Sequence, residues 1–198
     1  PFIGVLRGIE VARSIDVALM LHHAGFRMVS VTADTPEFER ILRDLSSRSD
    51  LNSVVIGASS VTSPAQVDTA SGCGARFISS TCFDIAIVKR THELGLLSVP
   101  GVCSESQATA AAAAGGDILK VFPSTQVSPA ALGAIVRATS DSLIPVIIAG
   151  GIEVEDMKSY SDAGASGFAV GSTLFRSEMT LREVKVKADT FMNQSRLL

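Results

Sequence analysis

Short apolar runs rich in β-branched residues alternate with longer amphipathic stretches from one end of this chain to the other. This alternation is typical of a parallel sheet whose strands are joined by helical crossovers. Eight strands are predicted, at 3–6, 27–32, 53–56, 76–79, 96–99, 118–122, 146–149 and 167–170. Helices are predicted between them at 12–23, 64–71, 85–94, 105–114, 129–138 and 154–163. Each helix is long enough for one crossover.

A sheet of seven or eight such units, each of about 25 residues, either closes into a barrel or stays open as a doubly wound sheet. An open dinucleotide-binding sheet needs a Gly-x-Gly-x-x-Gly turn after its first strand, and none follows the first predicted strand here. The sequence therefore predicts a single-domain TIM (β/α)8 barrel over residues 1–198. With 46% hydrophobic residues, the chain can bury a core of that size. Because a strand begins at once, we expect an N-terminal helix to be absent or trimmed.

Charge, hydropathy and cysteine usage narrow the classes of function. The net charge is −3 and the 17 basic residues are spread thinly, so no nucleic-acid partner is expected. No apolar run reaches the roughly 18 residues that span a bilayer, so no membrane partner is expected. Cys73, Cys82 and Cys103 are odd in number and lack metal-ligand spacing, which favours reduced thiols in a cytoplasmic protein. The adjacent His22 and His23 cannot face one ligand, so no metal site is predicted.

Two glycine-containing segments follow the last two predicted strands. They are Gly150-Gly151-Ile152 and Gly171-Ser172-Thr173, each just ahead of a predicted helix start. In a TIM barrel the chemistry lies at the carboxyl ends of the strands, and phosphate usually binds at the loops after strands seven and eight. Glycines allow close backbone approach, and the amides at a helix N-terminus favour an anion. The spacing is equally consistent with plain turn glycines, so both interpretations stay open.

A lone lysine stands in the middle of the sixth predicted strand, in the run Ile118-Leu119-Lys120-Val121-Phe122-Pro123. An unpaired ammonium is costly to bury in such an apolar strand. Lys120 is therefore either one half of an ion pair with an inward carboxylate, or an amine with a pKa lowered by desolvation. An amine of the second kind is ready to attack a carbonyl. The pattern by itself does not choose between the two.

Six blocks of the sequence carry a resemblance to a known enzyme family: Leu6-Arg7-Gly8, Ala24-Gly25-Phe26-Arg27, Val99-Pro100-Gly101, Leu119-Lys120-Val121-Phe122-Pro123-Ser124, Gly150-Gly151-Ile152 and Val170-Gly171-Ser172. In this order they resemble the 2-keto-3-deoxy-6-phosphogluconate (KDPG) and 2-keto-3-deoxy-6-phosphogalactonate aldolases of the KDPG/KHG aldolase family. The resemblance runs from Ile3 to about Phe175, and the block around Lys120 is its most specific part. The segments 122–124 and 148–151 are closer to the galactonate branch.

The resemblance implies a class I retro-aldol reaction that requires no metal and no organic cofactor. The Lys120 amine would attack the C2 ketone of a phosphorylated 2-keto acid and form a protonated imine. Cleavage of the C3–C4 bond would then yield pyruvate and glyceraldehyde 3-phosphate. Family analogy also implies a homotrimer.

The resemblance also implies roles for individual side chains. Arg7 would bind the substrate carboxylate through its fork of donors, with a surface ion pair as the alternative. Ser60 stands in the place of a family threonine hydroxyl. Phe122 would pack on the imine carbon chain, although a core aromatic residue is equally consistent. The implied substrate-binding residues are Arg7, Thr32, Ser60, Phe122, Ala149, Gly150, Gly151, Gly171 and Ser172.

The second strand departs from the family pattern where the general base is expected. The family reads approximately Ile-Glu-Val-Thr, and this chain reads Val29-Ser30-Val31-Thr32, so the glutamate that moves protons is absent. Ser30 is a poor proton acceptor unaided. Asp34 would point to the same side as Ser30 if the strand continued, or it is a turn residue that caps the next helix. A water held by Ser30 and Thr32 is the third alternative, and the predicted catalytic set is Lys120, Ser30 and Asp34.

Two other segments that would line the active site also differ from the family pattern. Gly57-Ala58-Ser59-Ser60 and Ser80-Thr81-Cys82 stand where the family has Gly-Ala-Gly-Thr and Ser-Pro-Asn. A general base typically contributes 10²- to 10⁴-fold in rate, so a slow aldolase is expected. The competing functions are a repurposed relative that binds a phosphorylated keto acid or acts as a scaffold, and other imine chemistry such as decarboxylation. Retention of Lys120, Arg7 and both glycine segments favours the aldolase.

Overall fold

The computed structural model describes residues 2–198 and contains, over that range, nine parallel strands and eight α-helices. The strands are β1 (Phe2–Leu6), β2 (Met28–Thr32), β3 (Val55–Val61), β4 (Phe77–Ser80), β5 (Leu97–Val99), β6 (Gly101–Val102), β7 (Leu119–Val121), β8 (Val146–Ala149) and β9 (Gly167–Val170). The helices are α1 (Val11–Ala24), α2 (Phe38–Ser46), α3 (Pro64–Gly72), α4 (Ile85–Glu93), α5 (Glu105–Ala113), α6 (Pro129–Ala138), α7 (Met157–Asp162) and α8 (Leu181–Ser195). The strands lie in the order β5-β4-β3-β2-β1-β9-β8-β7-β6.

Pro100 explains why nine strands make an eight-membered barrel. It is the single residue between β5 and β6, and its missing N–H interrupts the hydrogen-bond ladder there. Strand β5 pairs with β4 and strand β6 pairs with β7, so the two segments form one bent strand that closes the sheet on itself. The Pro100 carbonyl still accepts a hydrogen bond from the Lys120 amide at 3.0 Å. The predicted TIM (β/α)8 barrel is confirmed.

Side chains of each strand alternate between two apolar layers, because successive residues point to opposite faces of a sheet. On β7, Leu119 and Val121 pack in the layer between the strands and the surrounding helices. Ile118 and Phe122 pack in the second layer, inside the barrel. Lys120 has the same parity as Ile118 and Phe122. The alternation therefore directs the lysine side chain into the barrel.

Strand β3 is longer than predicted and contains an irregularity. The prediction covered 53–56, and the strand spans Val55–Val61. Its register against β4 shifts between Ser59 and Val61, and Ser60 has a left-handed backbone with φ of 57°. Such a β-bulge re-aims side chains at the end of a strand. The composition of small and polar residues at 57–60 is typical of a loop, and this hid the strand from sequence analysis.

Two helical segments differ from their predictions. The predicted helix at 154–163 is divided into a short 3₁₀ turn, Val154–Asp156, and the α-helix Met157–Asp162. A helix was expected directly after Gly171-Ser172-Thr173, without predicted bounds, and helix α8 begins only at Leu181. It begins with a capping box, in which the Thr180 amide donates to the Glu183 carboxylate at 2.7 Å and the Glu183 amide donates to the Thr180 hydroxyl at 3.3 Å.

The described part of the chain, 2–198, has no helix with the length and apolar character needed to cross a membrane. Over the same range, no cluster of three or more His, Cys, Asp or Glu side chains is arranged to hold a metal ion. Cys73, Cys82 and Cys103 are free thiols, and only Cys73 of the three is buried.

Candidate active site

The carboxyl ends of the strands surround a cavity of about 730 Å³, a size within the roughly 300–1,000 Å³ of small-molecule sites. The predicted site residues that reach it from strands or strand ends are Arg7, Ser30, Ser60, Lys120, Phe122 and Ala149. Those that reach it from the two glycine segments are Gly150, Gly151, Gly171 and Ser172. Thr32 and Asp34 lie outside the cavity lining. The barrel therefore gathers most of the predicted residues at one end.

Lys120 lies on the inner wall of this cavity without an acidic partner. Its side chain is 8% exposed, and its amine donates a hydrogen bond to the Ser79 hydroxyl at 2.7 Å. Across residues 2–198, no carboxylate lies within ion-pair distance of Nζ. Burial lowers the pKa of the amine from 10.5 to about 8, because desolvation disfavours the charged form. Nζ also lies 5.6 Å from the centre of the Phe122 ring, which stabilises the ammonium weakly.

Two serines occupy the adjoining wall. Ser30, on β2, is fully buried, and its hydroxyl donates to the Ser59 hydroxyl at 3.0 Å. Ser59 lies on the neighbouring strand β3, where it is paired with Thr32 in register. The two hydroxyls are thus held by each other at the level where the family glutamate is expected.

Thr32 contacts the loops behind the cavity. Its hydroxyl lies 2.9 Å from that of Thr35, and the Thr35 hydroxyl accepts a hydrogen bond from the Gly8 amide at 3.0 Å. These contacts join the loop after β2 to the loop after β1. Ser30 lines the cavity and Thr32 does not, so the structure does not bring the two hydroxyls together on a bound ligand.

Arg7 lies at the mouth of the cavity, just after β1, and both ends of its guanidinium are held. One nitrogen donates to the Asp34 carboxylate, and the other donates to the Ser60 hydroxyl at 2.9 Å. Asp34 lies in the turn after β2, with its side chain 57% exposed. The bulge in β3 turns both Ser59 and Ser60 toward the cavity, which a regular strand could not do with adjacent residues.

The first glycine segment forms a tight turn after β8. Gly150 and Gly151 both have left-handed backbones, with φ of 91° and 85°. A Cβ on Gly150 would lie 2.7 Å from the Phe122 ring, so the turn packs directly on the residue that follows β7. The Gly150 carbonyl accepts a hydrogen bond from the Ser124 hydroxyl at 2.5 Å. The positive φ and the closeness of the Phe122 ring favour glycine at position 150.

The helix start expected directly behind the first glycine segment is present, and the one expected directly behind the second is not. Behind Gly151 stand the 3₁₀ turn and the six-residue helix α7. Behind Gly171 the chain makes only one hydrogen-bonded turn, in which the Phe175 amide donates to the Gly171 carbonyl at 2.8 Å. Helix α8 begins only at Leu181. Backbone amides at these loops are therefore presented mainly by turns.

Comparison with known proteins agrees with this geometry. The family model described as KDPG and KHG aldolase matches residues 1–188 of the chain. The chain belongs to the KDPG and KHG aldolase family. Aldolases break carbon–carbon bonds, so the protein is a carbon–carbon lyase, as the resemblance of its sequence blocks predicted.

Individual relatives of this aldolase support the assignment. The 2-dehydro-3-deoxy-6-phosphogalactonate aldolase of Escherichia coli is 28% identical over 99% of this chain and 95% of its own length. A solved structure described as native KDPGal is 27% identical, with a TM-score of 0.95 over all of this chain and 95% of that one. A porous, cube-shaped cage designed by fusing symmetric oligomeric domains gives the same identity and TM-score, over all of this chain and 72% of that one.

Two serines of this aldolase's cavity were missed as site residues by sequence analysis, Ser59 and Ser79. Strand parity was the available signal for Ser79, because it lies two residues after the inward-facing Phe77. The parity rule could not have found the Ser59 and Ser60 pair, since the bulge between them breaks the alternation.

Arg176 is a further cavity residue that sequence analysis missed. It follows the second glycine segment and lies 3.5 Å from the Glu178 carboxylate, which also lines the cavity. The loop that carries both is held by Arg13 of α1, whose guanidinium donates to the Ser177 carbonyl at 2.6 Å. An arginine a few residues beyond a predicted phosphate loop was a usable but weak signal.

Proposed function

We propose that this family member is a class I aldolase that cleaves a 2-keto-3-deoxy-6-phospho sugar acid to pyruvate and glyceraldehyde 3-phosphate. Lys120 forms the imine. The observation that carries the proposal is the environment of the Lys120 amine, which is buried in the cavity wall and hydrogen-bonded to the neutral hydroxyl of Ser79. Of the two alternatives that the sequence left open, this environment favours the nucleophilic amine over the ion pair.

The lowered pKa makes the amine usable near neutral pH. With a pKa of about 8, about one amine in ten is neutral at pH 7, against fewer than about one in a thousand at the ordinary value. The neutral amine attacks the C2 ketone, and loss of water gives a protonated imine. That imine accepts the electron pair of the C3–C4 bond while the C4 hydroxyl gives up its proton to water. Glyceraldehyde 3-phosphate leaves, and the pyruvate unit stays on Lys120 as an enamine that is later protonated and hydrolysed.

Arg7 binds the substrate carboxylate in this proposal. Its guanidinium is already oriented at the cavity mouth by Asp34 and Ser60. Asp34 then acts by positioning Arg7, because its carboxylate is committed to the guanidinium and lies outside the cavity lining. Phe122 provides an apolar wall beside Lys120 for the three-carbon keto acid. A planar fork of donors suits a carboxylate better than a single ammonium would.

The phosphate group of the substrate binds at the two glycine segments. Gly150, Gly151, Gly171 and Ser172 line the same end of the cavity, and Arg176 adds a positive charge there. Glycine turns allow close approach of backbone amides to an anion. Ala149, the last residue of β8, leaves the passage between this end and Lys120 unobstructed by a large side chain.

A specific observation favours a second reaction at the same lysine, the decarboxylation of a small keto acid. Retro-aldol cleavage requires removal of a hydroxyl proton, and Glu178 is the one carboxylate among the cavity-lining residues described. It lies at the loop that also carries Arg176 and is paired with that residue. Loss of carbon dioxide from an imine whose leaving carboxylate is β to the imine carbon gives an enamine directly and requires no hydroxyl proton to be removed. Decarboxylation therefore tolerates the replacement of the family glutamate by Ser30.

The remaining expectations are part of the same proposal. Residues 1–198 form one domain, the enzyme works in the cytoplasm without a metal or an organic cofactor, and its partners are copies of itself in a homotrimer. The relation to a cage built from symmetric oligomeric domains supports symmetric self-association.

Reductive trapping tests the imine directly. Incubation with pyruvate and cyanoborohydride should attach one stable three-carbon adduct to Lys120, located by peptide mass analysis. The trapping rate should rise about tenfold per pH unit below pH 8 and level off above it, because only the neutral amine reacts.

Two variants serve as controls for the trapping experiment. Lys120→Met should give no adduct, and Lys158→Met, which changes an exposed lysine of α7, should trap as the unaltered protein does. A Lys120 that stays unmodified while the protein is folded would refute imine chemistry, including decarboxylation.

A further inference from the structure

The hydroxyl of Ser79 is the hydrogen-bond partner of the proposed nucleophile and has no other assigned role. Its oxygen lies 2.7 Å from Lys120 Nζ, and the residue is 3% exposed. Ser79 also lines the cavity, so it faces bound ligand as well as the lysine. A serine hydroxyl has one proton to donate and lone pairs to accept with, and it can therefore hydrogen-bond the lysine in both protonation states.

The Lys120 side chain can reach Ser79 because the strand that lies between the two residues has no side chain at the crossing point. Ser79 is on β4 and Lys120 is on β7, and β5 with β6 lies between them. Gly101 of β6 is paired in register with Lys120. A Cβ at Gly101 would lie 2.0 Å from the Thr81 carbonyl oxygen, so this position accepts only glycine. The lysine side chain passes over the glycine to reach Ser79.

The other candidates for proton transfer are engaged elsewhere. The Ser30 hydroxyl donates a hydrogen bond to the Ser59 hydroxyl at 3.0 Å. Asp34 is bound to Arg7 at the cavity mouth. Glu178 is exposed and is paired with an arginine. Ser79 is the polar side chain in direct contact with Nζ among those described.

On this geometry, and resting on the proposed imine function, we propose that Ser79 is a catalytic residue that relays a proton from the lysine nitrogen to the substrate oxygen. When neutral Lys120 attacks the ketone, the new C–N bond leaves a positive nitrogen and a negative oxygen. Ser79 Oγ accepts a proton from the nitrogen and passes its own proton to the oxygen. The product is a neutral carbinolamine, and the serine is unchanged.

The relay is short because the two atoms that exchange the proton are both bonded to the same carbon. A hydroxyl in contact with the nitrogen is therefore within reach of the oxygen as well. The relay moves a proton in the step that forms the carbinolamine, which is one part of the work that the family glutamate performs. Ser79 thus compensates partly for the serine at position 30.

The test compares the rate of pyruvate trapping on Lys120 in Ser79→Ala and in the unaltered protein. We expect Ser79→Ala to trap about a hundredfold more slowly, at the low end of what a positioned proton-transfer group contributes. The pH midpoint of trapping should also move to lower pH, because the ammonium loses a hydrogen-bond acceptor. Imidazole should accelerate Ser79→Ala in proportion to its concentration and leave the unaltered protein unchanged.

Three further variants make the result specific. Ser79→Thr keeps the hydroxyl and should restore most of the rate. Ser98→Ala removes another buried serine, on the adjacent strand β5 and outside the cavity lining, and should have no effect. If Ser79→Ala does not fold, Ser79→Val is the second hydroxyl-free variant, since a β-branched side chain suits a strand.

The outcomes separate this proposal from the proposed function. Trapping in Ser79→Ala or Ser79→Val at the rate of the unaltered protein would overturn the relay and leave the imine proposal standing. A slow Ser79→Ala that imidazole does not accelerate would overturn it too, because the serine would then act only on structure. Absence of any adduct in the unaltered protein would instead remove the proposed function itself.

Discussion

At the scale of single residues, the proposed chemistry depends on a buried amine whose hydrogen-bond partner is a hydroxyl. The sequence singled out Lys120 but left its partner open, because strand parity gives the direction of a side chain and not what it meets. The structure finds Ser79 there, 41 positions away in the chain. Asp34 shows the converse, since its turn position was one of the alternatives considered and its contact with Arg7 was not foreseen.

Arg176 carries a prediction at this scale. Arg176→Gln should raise the KM for a phosphorylated keto acid about tenfold with little change in kcat, since a half-exposed charge on a phosphate contributes modestly. Inorganic phosphate should also inhibit the variant more weakly than it inhibits the unaltered protein. Steady-state kinetics with a phosphorylated and an unphosphorylated 2-keto acid measure both effects.

The control for Arg176 is Arg182→Gln, which removes an exposed arginine on α8 outside the cavity lining. It should leave both KM values unchanged. Equal losses with the phosphorylated and unphosphorylated substrates in Arg176→Gln would argue against a contact with phosphate.

At the scale of elements, regular periodicity was readable and irregular backbone was not. Strands β8 and β9 have the predicted bounds, 146–149 and 167–170, because their apolar runs are bounded by clear turn residues. The predicted β3 was too short, because its glycine and serines are poor strand formers. Pairing with both neighbouring strands of the barrel nevertheless keeps them extended. The bulge there depends on pairing with β4, which local sequence does not encode.

The turn after β8 is the element whose geometry is most easily tested. Gly150→Ala would place a methyl group 2.7 Å from the Phe122 ring on a backbone with φ of 91°. We expect a loss of about 1–3 kcal/mol in the free energy of unfolding, together with weaker inhibition by inorganic phosphate. Chemical denaturation and inhibition kinetics measure the two effects.

Gly72→Ala is the matched control for the turn. Gly72 ends α3, and an added Cβ there would meet no atom within 4 Å. Alanine at this site should be neutral or stabilise the protein by up to about 1 kcal/mol. If both substitutions had the same effect on stability, the strain assigned to Gly150 would be wrong.

At the scale of the whole molecule, barrel closure is what assembles the site. Arg7, after β1, and Lys120, on β7, line one cavity although more than half of the chain separates them. Closure through the bent β5–Pro100–β6 strand brings β4 and β7 to either side of a glycine, and the contact between Ser79 and Lys120 follows from that.

The proposed homotrimer is tested at this scale. Light scattering after size-exclusion chromatography should give three times the mass of one chain, and the value should hold on dilution across the micromolar range. A mass equal to that of one chain over the whole range would contradict the trimer and leave the catalytic proposals intact.

The sequence by itself determined the architecture of this protein and singled out Lys120 as the candidate nucleophile. Alternation of strands and helices reflects burial on two faces of a parallel sheet, and a lysine in an apolar strand must be unusual because charge is costly to bury. Only the tertiary structure decided which group each polar side chain meets. Those contacts join residues on different strands. Their distances are set by barrel closure, by Gly101 and by the bulge at Ser60. All three features depend on packing between segments that are far apart in the chain.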